Sequence, residues 1–432
     1  MTAGQDLVAD YLSNFQYGDD DIAYLATLTG NDGKELFSRD FLDYLSRLEL
    51  TVDVCAMPEG TVAFPHQPLL RVQGPILQCQ LLETALLNIM NFQTLVATKA
   101  ARICCAAGDD PVLEFGLRRA QGIDGALSAS RAAYVGGCAA TSNLLAGKIY
   151  GIPVKGTHAH SWIMSFDDEQ TAFESYADAM PNNCVFLVDT YDTLEGVRNA
   201  IRVGLQLRKR GHEMIGIRLD SGDLAYLSIQ ARKLLDDAGF ANATIVASND
   251  LDEHLIESLK HQGAAIAVWG VGTKLATAFD QPALGGVYKL GAMRSEAGDW
   301  VPKVKLSEQL IKTSTPGVLQ VRRFLDDDGA VADMVYNELE GSSGTIVDPL
   351  DSTRQRQMNE SGRFEDLLQP LLVDGQAVLP AQPLDELREH AASQLAMFHN
   401  GVLRLKNPHR YPVGLEKNLF QLKEKLVLEA RG

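Results

Sequence analysis

The sequence predicts an α/β fold in which helices cover a parallel sheet. Apolar runs end in polar or glycine residues at intervals of roughly 20 to 30 residues, the length of one strand plus one helix. Helix-start signals occupy the intervals, and the runs are continuously apolar, as in strands that are buried on both faces. The number of such units favours a barrel over an open sheet.

The predicted strands place a functional site at one end of this barrel. The apolar runs are 149–154, 185–188, 215–217, 245–247 and 266–269, and the segments after them are 156–162, 189–192, 218–223, 248–250 and 270–274. In parallel barrels the carboxyl ends of the strands carry the chemistry. The segments after the runs therefore hold the candidate functional residues.

Capping signals mark the predicted helices. A side chain at the helix start and a carboxylate three residues later satisfy free amides, and Asp192 with Glu195 and Asp250 with Glu253 have this spacing. Gly211 and Gly263 are predicted to end those two helices. Asp223 is placed to cap a helix beginning at Leu224, so we assign it a structural role before a chemical one.

Segment 156–162 contains two histidines beside small hydroxyl residues. A ring nitrogen at a strand-to-helix turn can attack phosphorus, carry the phosphoryl group and release it. Taken alone, His158 and His160 also fit a structural interpretation, in which one is a core histidine and the other lies at a helix start.

Composition limits the partners. The chain has 432 residues, of which 46% are hydrophobic and 22% charged, as expected for two domains without a membrane span. Its first residues do not resemble a signal peptide, which predicts a cytoplasmic location, and the six cysteines lack metal-site spacing and are predicted to be reduced and structural. A net charge of -17 argues against nucleic-acid binding. An anionic ligand would need local cations, and the candidates, each of which also fits a solvated surface residue, are Arg118, Arg119, Arg131, Arg218 and Lys274.

Ordered motifs over most of the chain carry a resemblance to a known family. They are 21–25, 59–60, 82–84, 91–94, 98–99, 114–119, 156–162, 188–191, 218–223, 247–250, 269–274 and 305–308. In these motifs the chain resembles the nicotinate phosphoribosyltransferases. The resemblance implies the type II phosphoribosyltransferase fold, an irregular seven-stranded α/β barrel plus a second α/β domain formed by N-terminal and C-terminal segments. We predict boundaries at 1–110, 111–315 and 316–432.

The resemblance also implies a reaction. Nicotinate and phosphoribosyl pyrophosphate give nicotinate mononucleotide and pyrophosphate, coupled to ATP hydrolysis through a phosphohistidine, in NAD salvage. The family's site lies at the interface of a homodimer. The chain has no Walker loop, so ATP is expected to occupy the phosphoribosyl donor's pocket. Magnesium is expected to bind the phosphate oxygens of the substrates with few direct protein ligands.

Matched residue by residue, the resemblance assigns roles. His160 falls on the phosphorylated histidine, and Ser161 beside it on the substrate site. Asp220 falls on the residue that accepts hydrogen bonds from the ribose hydroxyls, and Arg218 on the one that neutralises phosphate charge. Phe115 covers one face of the pyridine, although ordinary core packing remains an alternative for it.

The remaining assignments concern the two ends of the substrate. Arg118 faces the nicotinate carboxylate, and its guanidinium suits a planar anion. Thr141 and Ser142 present hydroxyls where a carboxylate would repel nicotinate, although a helix start also explains them. The 5′-phosphate is expected on the backbone amides around Asn249 and along 270–273, including Gly270, Gly272 and Thr273.

The match departs from the family at the N-terminus. Family members begin with a Thr-Asp-Leu-Tyr segment, whose tyrosine covers the second face of the pyridine from the partner subunit, and this chain opens after it. We therefore expect the chain to lack the N-terminal segment. The alternatives are an inactive or weakly active nucleotide-binding homologue and, more remotely, an enzyme for nicotinamide or quinolinate.

Beyond Pro316 the signals are weaker. Strand-like patterns occur at 331–339 and 377–379, and helical patterns at 383–398 and 414–429. We predict that this part packs back on the N-terminal domain. Its basic residues and those just before it could neutralise pyrophosphate across the dimer or form a solvated face, and they are Lys305, Lys312, Arg322 and Arg323.

Overall fold

A computed structural model describes residues 1–308, 313–378 and 380–432. The helices are α1 Gln5–Ser13, α2 Asp19–Ala26, α3 Arg39–Leu45, α4 Ile76–Ala107, α5 Ile123–Val135, α6 Leu144–Tyr150, α7 His160–Ile163, α8 Glu169–Ala179, α9 Thr193–Lys209, α10 Leu224–Asp237, α11 Glu253–His261, α12 Thr273–Ala276, α13 Leu384–Ala396 and α14 Lys417–Arg431, with a 3-10 helix at Leu117–Arg119. The strands are β1 Asp53–Ala56, β2 Leu70–Gln73, β3 Val112–Glu114, β4 Ala140–Thr141, β5 Val185–Leu187, β6 Gly216–Leu219, β7 Thr244–Ala247, β8 Val268–Val271, β9 Ala292–Arg294, β10 Trp300–Pro302, β11 Leu319–Asp326, β12 Gly329–Asn337, β13 Thr345–Asp348, β14 Asp351–Gln357, β15 Arg363–Asp366, β16 Gln369–Val373, β17 Gln376–Ala377 and β18 Val413–Glu416.

One half of the molecule is built on a parallel sheet with the strand order β4-β3-β8-β7-β6-β5. Val154 pairs in parallel with Thr141 at one edge and so adds a seventh strand position. At the other edge, the amide of Leu187 in β5 donates to Nε2 of His158 over 3.4 Å. The segment from Val154 to His158 therefore lies between the two edges and closes the sheet into an irregular barrel, which confirms the predicted fold class.

Most predicted strands are confirmed, but the run at 149–154 is only partly a strand. Ile149 and Tyr150 close helix α6, and Gly151 ends that helix with φ 74°. Only Val154 of the run makes a strand bridge among the described residues. The apolar run spans a helix end and a short bridge, two structures that hydrophobicity alone does not separate.

The predicted helix caps are confirmed except one. Asp192 accepts from the amide of Glu195 at 2.8 Å, and Asp223 accepts from the amide of Tyr226 at 3.0 Å. Gly211 and Gly263 follow their helices with φ 82° and 73°. The Asp250 cap is wrong, because Asp252 caps α11 by accepting from the amide of Leu255 at 2.8 Å.

Helix α4 links the two halves of the molecule. Its first part buries Leu82, Leu86 and Met90 in the N-terminal core. Its last part, which includes Val96 and Ile103, packs in the core of the barrel. One continuous helix therefore contributes side chains to the cores of both halves.

The second domain combines both ends of the chain, as predicted. A four-stranded sheet has the order β17-β16-β1-β2, so C-terminal strands pair with N-terminal ones. A six-stranded sheet of order β14-β13-β18-β12-β11-β15 comes entirely from the C-terminal part. The exact domain boundaries stay a prediction, and Leu379 of the predicted strand at 377–379 lies outside the described residues.

The basic residues near 322 do not form a solvated face or a free ligand site. Arg323 is fully buried and pairs with Asp333 at 2.7 Å. Arg322 pairs with Asp366 at 2.8 Å. Both guanidinium groups are thus bound in ion pairs inside the second domain, which corrects the expectations of a solvated basic face and of a pyrophosphate contact for Arg322 and Arg323. Lys312 lies outside the described residues.

The six cysteines are free thiols in the described part of the chain. Over the same residues, no helix combines the length and the apolar character needed to cross a membrane. The cytoplasmic location stays a prediction.

Gly196 is required by close packing of α9 on β5. A Cβ at this position would lie 2.0 Å from the carbonyl oxygen of Val188, whereas a Cβ on Gly125 in α5 would meet no atom within 4 Å. We expect Gly196→Ala to lower the free energy of unfolding by about 1–3 kcal/mol because a backbone must move. Gly125→Ala should be neutral or stabilising by about 0.5–1 kcal/mol. Thermal unfolding of both variants measures the difference, and equal midpoints would contradict this packing.

Candidate active site

The carboxyl ends of the parallel strands converge on one polar cluster. Arg218, near the end of β6, is its centre. It donates from Nε to Ser248 Oγ at 2.8 Å, from Nη1 to Thr157 Oγ1 at 2.7 Å and from Nη2 to Asp220 Oδ1 at 2.8 Å. Three strand ends, those of the Val154 segment, β6 and β7, thereby share one guanidinium, as the strand pattern predicts.

Asp220 is held as an ionised carboxylate. Burial alone raises the pKa of this side chain, but hydrogen bonds from Ser248 and Arg218 outweigh it and hold the pKa below its ordinary value. Its amide donates to Asp189 Oδ2 at 2.8 Å, and the hydroxyl of Ser221 donates to the same oxygen at 2.7 Å. Asp220 is thus fixed through both its backbone and its side chain, and its Oδ2 faces His160.

His160 begins the short helix α7 and points back into the cluster. Its Nδ1 lies 3.0 Å from Oγ1 of Thr190, and its Nε2 lies 3.6 Å from Asp220 Oδ2. The side chain is 38% exposed. The hydrogen bond at Nδ1 orients the ring, and Nε2 is directed toward the carboxylate of Asp220.

His158 has a different environment. It is buried against Phe173 and Tyr176, and burial lowers the pKa of its imidazole to about 4. Its Nδ1 has no hydrogen-bond partner in the part of the chain that the structure describes. His158 is therefore a neutral core histidine that joins the barrel edges, whereas His160 is partly exposed and belongs to the polar cluster.

Phe115 lies at the end of β3, beside the cluster. The guanidinium of Arg218 is 5.8 Å from the centre of its ring. A Cβ on Gly270 would lie 2.8 Å from the ring, and a Cβ on Gly272 would lie 3.0 Å from the carbonyl oxygen of Phe115. Gly270 therefore leaves room for the aromatic ring and Gly272 for the backbone of Phe115, a reason for them that the sequence did not suggest.

Thr141 and Ser142 differ from each other. The hydroxyl of Thr141 donates to Glu114 Oε2 at 2.6 Å and accepts from the amide of Asn143 at 2.9 Å, and the residue is buried. The structure thus gives Thr141 internal partners, and its contact with a ligand stays a prediction. Ser142 is half-buried, directly after β4.

The other predicted residues surround this cluster without joining it. Arg118 is exposed on the 3-10 helix and has no ion pair among the described residues. Ser161 is exposed on α7, and Thr273 begins α12. Asn249 is exposed and has φ 116°, a strained value for a residue with a Cβ. Strain of this kind occurs at functional sites.

Of the three remaining basic candidates, two are bound to carboxylates of the protein and one is exposed. Arg131 is buried and binds Glu59 through both terminal nitrogens, at 2.8 Å and 2.9 Å. It is therefore structural, which corrects its place among the ligand candidates. Lys274 pairs with Asp252 at 2.6 Å. Arg119 is exposed at the end of the 3-10 helix.

The sequence analysis missed four side chains that build the cluster. They are Thr157, Asp189, Thr190 and Ser248, each in a segment that follows a predicted strand. Their position was a usable signal. Their partners were not predictable, because each contact joins two segments of unrelated sequence.

Three family models match the chain. The nicotinate phosphoribosyltransferase N-terminal domain matches residues 1–91, the nicotinate phosphoribosyltransferase family model matches residues 111–325, and the C-terminal domain matches residues 319–423. The nicotinate phosphoribosyltransferase of Bacillus subtilis (strain 168) is 43% identical over 443 residues, which span 100% of this chain and 87% of that protein. The chain belongs to the nicotinate phosphoribosyltransferase family.

Further relatives agree with this family. The nicotinate phosphoribosyltransferase of Dictyostelium discoideum is 38% identical, over 99% of this chain and 81% of its own length. The crystal structure of human nicotinic acid phosphoribosyltransferase superposes with a TM-score of 0.82 and 32% identity, covering 98% of this chain and 92% of the human chain. The crystal structure of nicotinate-nucleotide pyrophosphorylase from Pyrococcus furiosus superposes with a TM-score of 0.64 and 25% identity, covering 81% of this chain and 82% of that chain.

One expectation about the family is corrected. The family's N-terminal domain matches from residue 1, so the chain does not lack that domain. The inactive-homologue alternative rested on the missing segment and is not favoured by these matches.

Proposed function

We propose that this chain is a nicotinate phosphoribosyltransferase of NAD salvage that couples the transfer to ATP hydrolysis. Nitrogen 1 of nicotinate forms a bond to C1′ of phosphoribosyl pyrophosphate, and the C1′–oxygen bond breaks as pyrophosphate leaves with the electron pair. The observation that carries the proposal is the cluster of Arg218, Asp220 and His160 at the strand ends of a family member. An anionic donor needs such a guanidinium, and a ribose needs such a carboxylate.

His160 is the proposed phosphoryl carrier. Its Nε2 attacks the γ-phosphorus of ATP, the bond to the ADP oxygen breaks, and water later releases phosphate from the ring. The geometry supports Nε2 as the nucleophile because Nδ1 is held by Thr190 at 3.0 Å. Ser161 is the neighbouring substrate contact of this proposal.

Nicotinate is proposed to lie against Phe115, with its carboxylate facing Arg118 and the hydroxyl of Ser142. The exposed guanidinium of Arg118, free of ion pairs in the described part of the chain, supports this. The contact proposed for Thr141 is weaker because its hydroxyl already has partners inside the protein.

The donor's 5′-phosphate is proposed to bind the backbone around Asn249 and along Gly270, Gly272 and Thr273, and ATP is proposed to compete for the same pocket. Magnesium, when bound to the substrates, neutralises charge on the leaving pyrophosphate. Asp220, whose side chain is 25% exposed, would offer a carboxylate oxygen, the type of ligand that magnesium prefers.

A homodimer with shared sites is the proposed assembly. Exposed apolar side chains occur on α5, on α6 and just after α6, with Ile123 79% and Leu144 74% exposed; Leu145, Ile149 and Val154 are also exposed. Patches of this kind mark interaction sites. Light scattering of the purified protein tests the assembly, and a monomer at assay concentration would contradict it.

The function is tested by assaying purified protein with phosphoribosyl pyrophosphate, magnesium and one pyridine substrate, with and without ATP. We expect nicotinate mononucleotide by chromatography, faster with ATP. Nicotinamide and quinolinate serve as matched substrates. Faster turnover of either would overturn the assignment to nicotinate.

Thr190 gives a specific prediction about the phosphoryl step. Thr190→Val keeps the shape of the side chain and removes the partner of His160 Nδ1, so we expect phosphorylation by ATP to slow about tenfold. Thr190→Ser keeps the hydroxyl and should label at nearly the normal rate. Labelling of Thr190→Val at the wild-type rate would show that the hydroxyl does not orient the ring.

A further inference from the structure

Lys99 is a buried cation that the reaction described above does not use. It lies in the part of α4 that packs on the barrel, and its side chain is 6% exposed. Its Nζ donates to Glu253 Oε2 at 2.6 Å and also to Asp280 Oδ2. A buried ammonium is costly unless its contacts compensate for lost hydration, so the contacts of Lys99 require an explanation.

The two carboxylates belong to different connections of the barrel. Glu253 is the first residue of α11, on the connection after β7. Asp280 follows α12, on the connection after β8. Lys99 therefore ties these two connections to each other and to a helix that also forms the N-terminal core.

A second ion pair joins the same two connections directly. Lys274 in α12 pairs with Asp252, the cap of α11, at 2.6 Å. The segments that directly precede these ties in the chain contain Asn249, with its φ of 116°, and the backbone from Gly270 to Thr273. These are the segments on which the proposed function places the donor's 5′-phosphate.

The charges around Lys99 suggest that its loss is tolerated by the fold. Glu253 Oε1 also accepts from Nε of Arg102 at 2.8 Å, and the side chain of Asp280 is 54% exposed. Without Lys99, Glu253 keeps one cation and Asp280 is hydrated. Of the two ties between the connections, the Lys274–Asp252 pair remains and the one through Lys99 to α4 is lost.

We propose that Lys99 is a positioning residue that holds the connections after β7 and β8 at the spacing required by the phosphate of the phosphoribosyl donor. This inference rests on the proposed function. It makes affinity for the donor depend on α4, which carries no substrate contact of its own in that proposal.

The test compares Lys99→Met with Lys99→Arg and with a matched lysine. Lys260 in α11 pairs with Asp110, just before β3, at 2.8 Å, so it joins related elements at the opposite end of the barrel. We expect Lys99→Met to raise KM for phosphoribosyl pyrophosphate about tenfold and KM for nicotinate less than about twofold. Lys99→Arg should recover most of the affinity. Lys260→Met should lower the unfolding midpoint and leave both KM values unchanged.

A purely structural role would give a different result. Unchanged KM for the donor in folded Lys99→Met, or an equal rise in both KM values, would overturn the proposal. If Lys99→Met does not fold, Asp280→Asn removes one tie at a half-exposed side chain and should raise the donor KM about threefold. An unchanged donor KM in Asp280→Asn would then overturn the proposal.

Calorimetric binding of phosphoribosyl pyrophosphate separates this inference from the proposed function. A wild-type protein that binds the donor but makes no nicotinate mononucleotide would contradict the function alone. Weaker donor binding by Lys99→Met would then still support the positioning role, and equal binding would refute it.

Discussion

His160→Ala is expected to abolish the acid-labile, base-stable phosphate that, in the proposed mechanism, this protein receives from ATP in the presence of magnesium. The imidazole Nε2 is the proposed acceptor, and alanine offers no nitrogen in its place. Formation of nicotinate mononucleotide without ATP should persist in part. In the proposed mechanism the ring carries the phosphoryl group that drives the reaction and does not form the glycosidic bond.

Mass spectrometry under alkaline conditions measures the label, with His158→Ala as the comparison. His158 is buried and its ring joins the barrel edges, so its loss should destabilise the protein while labelling of the folded fraction persists. A label that remains in His160→Ala would refute the assignment. A label lost only in His158→Ala would move the role by two residues.

The local parts of the fold were predictable from the sequence. Asp192, Asp223 and Gly211 act within one turn of their own helix, so the residues that decide their structure are adjacent in the chain. The Asp250 cap failed for a reason that spacing does not contain. Asn249 turns the chain with φ 116°, and its side-chain oxygen accepts a hydrogen bond from the amide of Asp250. The carboxylate of Glu253 accepts a hydrogen bond from Lys99, which lies on a distant helix.

The site was predictable as a set of strand ends but not as a set of contacts. The segment of Arg218 and Asp220 is predicted to lie at the site because it follows an apolar run, and the resemblance to the family supplies the roles of the two residues. The barrel brings that run beside its neighbours. Which hydroxyl meets which nitrogen depends on the strand order and register. Thr190 on His160 and Ser248 on Arg218 are such contacts. The sequence suggests that the hydroxyl of Thr141 is available to a ligand, because its hydrogen-bond acceptor, the buried Glu114, is distant in sequence.

Asp220→Ala is expected to lower kcat by at least about a hundredfold, the loss typical when a preorganised partner of the reacting group is removed. The side chain is ionised because Ser248 and Arg218 hold its pKa low, and it faces both the proposed ribose and Nε2 of His160. Arg218 keeps Ser248 and Thr157 as acceptors, so the guanidinium should remain in place. The expected loss is therefore one of charge at the ribose.

Asp223→Ala is the matched control for Asp220→Ala, because Asp223 lies three residues further on in the same connection and caps α10. Losing the cap should cost about 1 kcal/mol of stability and leave kcat within about threefold of the wild type. Circular dichroism and initial rates separate the two effects. Unfolding of Asp220→Ala would make that residue structural, and retained activity in the folded variant would place the ribose elsewhere. Asp220→Asn, which keeps an acceptor for Arg218 without the charge, should fall between alanine and the wild type if charge carries part of the effect.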